Sequence, residues 1–190
     1  MAQQSFLEEL MSAGRGVVAL IIGDRRAPSF FNFSQVGLVG SFIAFLAVAG
    51  VNATLPVLLG DHAPGDITQS ILMLAVLFLT QLGCTAIVLR QVKKLELLRA
   101  YIVADNWATF FLGLFSSALA AAGIGGMFVM LALAVLVIIV EVNIARLVLG
   151  LTPLQIAMLL VAQLVGVWVG LTVVGAFIPM AAQIASPFGS

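Results

Sequence analysis

Residues 127–149 read MFVMLALAVLVIIVEVNIARLVL. The first 14 of them carry no polar side chain, and three polar residues follow near the end of the stretch: Glu141, Asn143 and Arg146. The hydrocarbon core of a bilayer takes about 20 apolar residues in a helix. The stretch is therefore predicted to cross a membrane, with its polar end close to one surface.

Four further stretches have the same character. The five predicted spans cover residues 36–59, 67–89, 101–122, 126–149 and 154–178, within one domain of residues 36–182. Composition agrees, since 63% of the 190 residues are hydrophobic and only 8% are charged, against about 25% charged residues in soluble domains. The predicted fold is all-α: an integral membrane bundle of five transmembrane helices.

Residues 1–35 precede the first span and are predicted to form an amphipathic helix and a cytoplasmic loop. Apolar residues recur near the helical period over 6–22, and polar residues occupy the other face. Such a helix is typical of the membrane interface, and packing on the protein's own spans is the open alternative. Aromatic residues in the loop are expected to anchor it among the head groups: Phe30, Phe31 and Phe33.

All eight basic residues flank one end of the predicted spans. They are Arg15, Arg25, Arg26, Arg90, Lys93, Lys94, Arg99 and Arg146. Because Lys and Arg in short loops are retained in the cytoplasm, the N-terminus is predicted inside and the C-terminus outside, with residues 183–190 as a short outer tail. The same topology accounts for these cations without nucleic acid, so membrane lipids are the expected surroundings.

Polar residues inside the third and fourth spans form the main candidate site. Asp105 lies 19 residues before Ile124, at the turn between these spans, and Asn143 lies 19 residues after it, so both are predicted at the same height. The predicted polar cluster, with Arg146 neutralising one or both carboxylates, contains Asp105, Asn106, Glu141, Asn143 and Arg146. It is interpreted either as an interfacial salt bridge that fixes the hairpin, beside Trp107 as an interface residue, or as a site for protons, ions or a polar substrate. A surface for a partner protein is the third alternative.

Two backbone features are predicted to shape the bundle. Pro56 leaves the carbonyl of Asn52 without its helical donor, so a kink is expected in the first span. Gly166 and Gly170 form a GxxxG pair that permits close helix contact, either with another span or with a second copy of the chain.

Motifs that carry catalysis or bind cofactors are missing from the sequence. It holds no HExxH, CxxC, P-loop or GxSxG pattern. The single histidine, His62, is flanked by Asp61 and Asp66 in an outer loop, which makes a poor metal site. No metal, cofactor or catalytic residue is predicted, and the chain is expected not to be an enzyme.

Several segments resemble small membrane proteins of alphaproteobacteria that are related in layout to the Yip-type (Yip1-domain) five-span proteins. The segments are GDRRAPSFFNFS (23–34), GLVGSF (37–42), YIVADNW (101–107) and EVNIARLVLGLTPLQIAMLLVAQLV (141–165). The resemblance implies five spans, a cytoplasmic N-terminus and a bacterial inner membrane. The chain lacks the DLYGP segment of the eukaryotic members, so their role in vesicle traffic is not carried over.

Three functions remain open from the sequence. The first is a non-enzymatic inner-membrane protein that acts through helix packing as an accessory subunit, scaffold or assembly factor, with a protein partner or as a homo-oligomer. The alternative is a small oligomeric transporter or channel that uses the polar cluster. An intramembrane enzyme that modifies lipid or peptide is the second alternative.

Overall fold

The computed structural model describes residues 6–60 and 66–185, and for residue 66 and residues 177–185 it describes the backbone alone. All regular structure in this part of the chain is helical: α1 (Phe6–Ile21), α2 (Gln35–Leu58), α3 (Asp66–Gln91), α4 (Leu98–Ala121), α5 (Met127–Asn143) and α6 (Pro153–Ala185). Short 3₁₀ turns cover Ala27–Phe30 and Leu95–Leu97, and a π-helical turn covers Ile144–Val148. Helices α2 to α6 are each long and apolar enough to span a membrane. The predicted loop around Asp61 and His62 lies outside the described residues.

Local side-chain chemistry sets where the helices begin. The Ser34 hydroxyl accepts from the Gly37 amide (3.3 Å) and caps α2. At α6, the Thr152 amide donates to Gln155 Oε1 (3.0 Å) and the Gln155 amide donates back to the Thr152 hydroxyl (3.5 Å). This reciprocal pair places Pro153 at the first helical position. A backbone N–H at that position has no helical acceptor, so a proline there costs no hydrogen bond.

Left-handed residues set where three of the helices end. Gly23, Lys93 and Gly123 have φ of 72°, 57° and 70°, and each lies just past a helix. In each case the amide of the following residue donates a hydrogen bond to the carbonyl five residues before it, as the Asp24 amide does to the Ala19 carbonyl (2.8 Å). Helix α6 departs from the prediction, because it continues beyond residue 178 through Pro179 to Ala185.

Two helix pairs form the body of the bundle. Helices α2 and α4 run parallel, with Asn106 bonded to Ser41 (3.1 Å) and Ser117 bonded to Asn52 (2.5 Å) at a constant offset of 65 residues. Helices α3 and α6 run antiparallel, and a Cβ added at Gly166 would lie 3.1 Å from the Thr80 carbonyl oxygen. The GxxxG pair therefore packs within the chain, since Gly170 meets Leu77 and Thr80 one turn further along α3.

Helix α2 passes through Pro56 without interruption and ends at Leu58. The Thr54 hydroxyl bonds the Gly50 carbonyl (2.8 Å), and the Asn52 side chain accepts from Ser117 on α4. The kink at Pro56 stays a prediction, whereas the Asn52 side chain joins two helices.

Helix α1 packs on the bundle at the end where α2 and α4 begin, which we call the basic end. Its residues Ala13, Val17 and Leu20 are buried, and the Asn143 amide donates to the Leu20 carbonyl (2.8 Å). Two expected interface residues are buried with it: Trp107 is 0% exposed, and the Phe31 ring packs against Gly16. The opposite side of α1 is exposed and carries Leu7, Met11 and Val18 together with the charged Glu8 and Arg15. Ile22, just past the end of the helix, is also exposed.

Helix α5 is held at the basic end alone. Within α5 the residues Val140 and Asn143 are buried, and the Lys94 ammonium caps the carbonyls of Leu149 and Gly150 (3.1 and 2.7 Å) after the π-helical turn. The outer half of the helix is exposed, with Phe128 88% and Met130 71% exposed.

Candidate functional site: a carboxyl pair in a cavity between the helices

A cavity of 640 Å³ lies among five helices, α2 to α6. Most of its walls are apolar, as in the usual small-molecule pocket of about 300–1,000 Å³. Its polar lining residues are Asn52, Gln81, Tyr101, Asp105, Thr109, Ser116, Glu141 and Gln163. The cavity therefore offers an apolar body with a limited set of polar groups.

One face of α4 supplies half of these polar groups. Tyr101, Asp105 and Thr109 follow one another at four-residue spacing, which places them on one side of a helix. Ser116 continues the same side two turns later and also lines the cavity. The polar side of α4 thus faces inward along the length of the cavity.

The two carboxyl groups meet at the basic-end portion of the cavity. Asp105 lies seven residues after Leu98, and Glu141 lies seven residues before Val148, so each is about 10 Å from the end of its helical segment. Both side chains line the cavity there, close enough for their charges to interact. The predicted pair at equal height was Asp105 and Asn143, whereas in the structure Glu141, two residues before Asn143, lines the cavity together with Asp105.

Helix α6 completes this group through Gln163. Its side-chain amide donates to Glu141 Oε2 (3.2 Å) and to the Tyr101 hydroxyl (2.7 Å). Tyr101 and Gln163 are buried, at 4% and 9% exposure. Three helices therefore converge on one hydrogen-bonded group, which we call the carboxyl site: Tyr101, Asp105, Glu141 and Gln163.

The other members of the predicted cluster point elsewhere. Asn106 bonds Ser41 on α2, and Asn143 bonds the Leu20 carbonyl of α1. Arg146 is exposed and, among the described residues, forms no ion pair with Asp105 or Glu141, so the predicted neutralisation is wrong. The reason is rotation: five residues after Glu141 is about 140° around a helix with 3.6 residues per turn.

The remaining basic residues lie at the surface of the basic end. Arg25, Arg90, Lys93 and Arg99 are exposed, and the Arg26 guanidinium pairs with the Asp24 carboxylate at 2.9 Å. This pairing holds the pKa of Asp24 below its ordinary value. The basic residues surround the end of the bundle and leave the cavity to uncharged and acidic groups.

The chemistry of the carboxyl site follows from its charge. Two ionised carboxylates that lie close together repel each other unless a proton or a cation lies between them. None of the residues that line the cavity is Lys, Arg or His. A multidentate metal site is not indicated, since the described residues contain no cluster of three or more His, Cys, Asp or Glu side chains. The site is suited to a proton or to a cation that keeps an apolar body in the cavity.

Tyr101 and Gln163 were not predicted as site residues. Tyr101 marked only the start of a span, and Gln163 resembled the amides that join helices within membranes. The sequence feature that could have identified Tyr101 as a site residue is its four-residue spacing from Asp105, which is repeated from Asp105 to Thr109. No sequence signal placed Gln163 beside them, because that contact depends on how α6 packs.

Comparison of the chain with protein-family models, with curated proteins and with solved structures gave no match. The geometry of the cavity is therefore the basis for assigning a function.

Proposed function

We propose that this chain is a small membrane transporter that binds a cation with an apolar body in the cavity between its helices. The supporting observation is that Asp105 and Glu141 both line one cavity, and that no basic side chain lines it. Ionisable groups inside a membrane bundle are costly and are typically present for ion or substrate binding. The apolar walls, with Leu77, Phe78 and Val137 among them, would hold the body of the substrate.

The transported cation exchanges against protons in this proposal. A cation and a proton compete for the same two carboxyl groups, so binding of one releases the other. By the charge rule the basic end would face the cytoplasm, so we propose a cytoplasmic N-terminus and an outer C-terminus. The bacterial inner membrane is the setting that the resemblance to the Yip-type proteins implies. The carboxyl site is then about 10 Å inside the cytoplasmic ends of α4 and of the π-helical turn that follows α5.

Helix α5 is the element that would open the cavity. It contributes Glu141 to the carboxyl site and Leu133 and Val137 to the cavity wall. Its outer half is exposed, so it can move away from the two helix pairs without breaking their glycine contacts. The exposed apolar surface is also what a second copy or a larger complex would cover, which supports the accessory-subunit alternative.

Transport by the reconstituted protein tests the proposal. Liposomes that contain the purified chain should take up tetraphenylphosphonium, an apolar cation, when a proton gradient is imposed. Asp105→Asn and Glu141→Gln should each reduce the uptake about tenfold or more, since each removes a negative charge that attracts the cation within the cavity. The matched control is Glu96→Gln, which changes an exposed acid outside the cavity and should leave uptake unchanged.

The same experiment can contradict the proposal. Absence of cation and proton flux under every imposed gradient would show that the chain is not a transporter. A stable oligomer in mild detergent that carries no flux would favour the scaffold or accessory-subunit function instead. Equal uptake by the wild type and both carboxyl variants would show that the carboxyl site takes no part.

A further inference from the structure

A second pocket lies apart from the cavity, between α1 and the first turns of α2. It has a volume of 380 Å³, and Phe6, Glu9, Val36, Val39 and Gly40 are among the residues that line it. Val36 and Val39 are 57% and 59% exposed and belong to the outer surface of α2. The pocket is thus a groove that opens toward the surroundings of the bundle at its basic end.

A buried acid forms the inner wall of this groove. Glu9 is 5% exposed, and its Oε1 atom has no hydrogen-bond partner within the part of the chain that the structure describes. A glycine makes room for it, because a Cβ at Gly40 would lie 3.0 Å from Oε1 and 3.1 Å from Oε2. The groove therefore holds a buried carboxyl group with one oxygen atom that has no hydrogen-bond partner among the described residues.

The entrance of the groove has the opposite polarity. Residues Gln35 and Val36 form the first turn of α2, where backbone N–H groups lack helical partners and carry the positive end of the helix dipole. Such amides bind phosphate. The groove thus presents a phosphate-binding edge, an acidic inner wall and apolar sides.

We propose that this groove binds a phospholipid whose head group carries a primary ammonium, as in phosphatidylethanolamine. The ammonium donates to Glu9, the phosphate lies at the first turn of α2, and an acyl chain follows Val39 and the exposed face of α2. A buried carboxyl without a partner is costly, and a charged donor removes that cost. The site requires a surrounding bilayer but does not depend on transport through the cavity.

Native mass spectrometry of the purified full-length chain tests this assignment. With phosphatidylethanolamine, phosphatidylcholine and phosphatidylglycerol added in equal amounts, the wild type should retain the ethanolamine lipid about tenfold over the choline lipid, because a quaternary ammonium cannot donate to Glu9. Glu9→Gln should bring this ratio close to one. Glu96→Gln, which removes an exposed acid far from the groove, should preserve the preference.

A second variant keeps the test decisive if Glu9→Gln does not fold. Val39→Trp fills the groove from an exposed position, so it should reduce retention of the ethanolamine lipid without lowering the melting temperature. A wild type without preference for the primary ammonium, an unchanged preference in Glu9→Gln, or unchanged retention of the ethanolamine lipid in Val39→Trp would overturn the proposal. Displacement of the lipid by free phosphoethanolamine at equal concentration would show that the ligand is a soluble phosphoamine instead.

Discussion

Helix α6 and helix α5 are both long and apolar, yet they pack in opposite ways. Gly166 and Gly170 bring α6 against the backbone of α3, whereas α5 contains no glycine and is exposed along its outer half. Lipid is as apolar as Leu, so helices in a membrane associate through close packing and hydrogen bonds. The contrast between α6 and α5 indicates that small residues and polar contacts, not hydrophobicity, decide which helices form the rigid part of this bundle.

The largest effect is expected where the glycine contact is filled. Gly166→Leu places a side chain against the Thr80 carbonyl and the Gln81 backbone, which would lie 3.1 Å from the first added carbon. We expect unfolding in detergent to become easier by about 3 kcal/mol, at the upper end of overpacking effects. The measurement is the unfolding midpoint in a denaturing detergent titration.

Gly175 provides the matched control on the same helix. No atom lies within 4 Å of a Cβ added there, so Gly175→Leu should leave the midpoint nearly unchanged. If the two variants were equally stable, the close approach of α3 and α6 would not contribute to stability.

A smaller effect is expected at the polar contact that holds α5. Asn143→Ala removes the buried hydrogen bond to the Leu20 carbonyl and should cost about 1–2 kcal/mol. Because α5 is held at the basic end alone, its amides should exchange with deuterated water faster, while those of α3 and α6 keep their protection. Hydrogen–deuterium exchange mass spectrometry measures both regions in one experiment.

Asn52→Ala is the comparison for this variant. It removes the Ser117 contact between α2 and α4, which are also joined by Asn106 and Ser41 and by the close approach of Gly113 to Val48. Exchange in α5 should therefore be unaffected. Faster exchange spread evenly over the bundle in Asn143→Ala would contradict the view that α5 moves separately.

The sequence allowed the position of a residue along its helix axis to be predicted, but not the side of the helix that faces the cavity. Residue counting placed Asp105 level with Asn143 because rise per residue is nearly constant in a helix, and Glu141, two residues earlier on α5, is the residue that lines the cavity with Asp105. The sequence did not determine which side of α5 faces the cavity, so Arg146 was assigned to carboxyls from which it points away. That direction is set by packing, since Asn143 faces α1 and Glu141 faces the cavity.

The helix starts were predictable for a different reason. Thr152, Pro153 and Gln155 determine the beginning of α6 through contacts among neighbours in sequence. The burial of Trp107 and Phe31 was not predictable, because it requires α1 to lie across the ends of α2 and α4. Contacts among neighbouring residues can be predicted from a single sequence, whereas contacts between distant segments depend on how the helices pack.

The smallest expected effect concerns α1, which is attached to one end of the bundle as α5 is. Burial raises the pKa of the Glu9 carboxyl above its ordinary value of about 4.3, and the neighbouring Trp107 indole lowers it in part. The folded protein therefore binds more protons at Glu9 than the unfolded chain at pH values just above that range. Consequently, the free energy of unfolding should fall as pH rises through this window.

Melting temperatures of the wild type and Glu9→Gln, measured without added lipid from about pH 5 to about pH 8, isolate this contribution. The wild type should lose stability relative to the variant as the pH rises, with most of the change at the lower end of the range. Asp24 does not disturb the comparison, because Arg26 lowers its pKa from the ordinary value of 3.8, so its stability contribution is lost only at pH values below this range. A difference that is constant with pH would mean that Glu9 is equally free to ionise in the folded and unfolded chains. The attachment of α1 would then rest on its buried apolar residues and on the hydrogen bond from Asn143 to the Leu20 carbonyl.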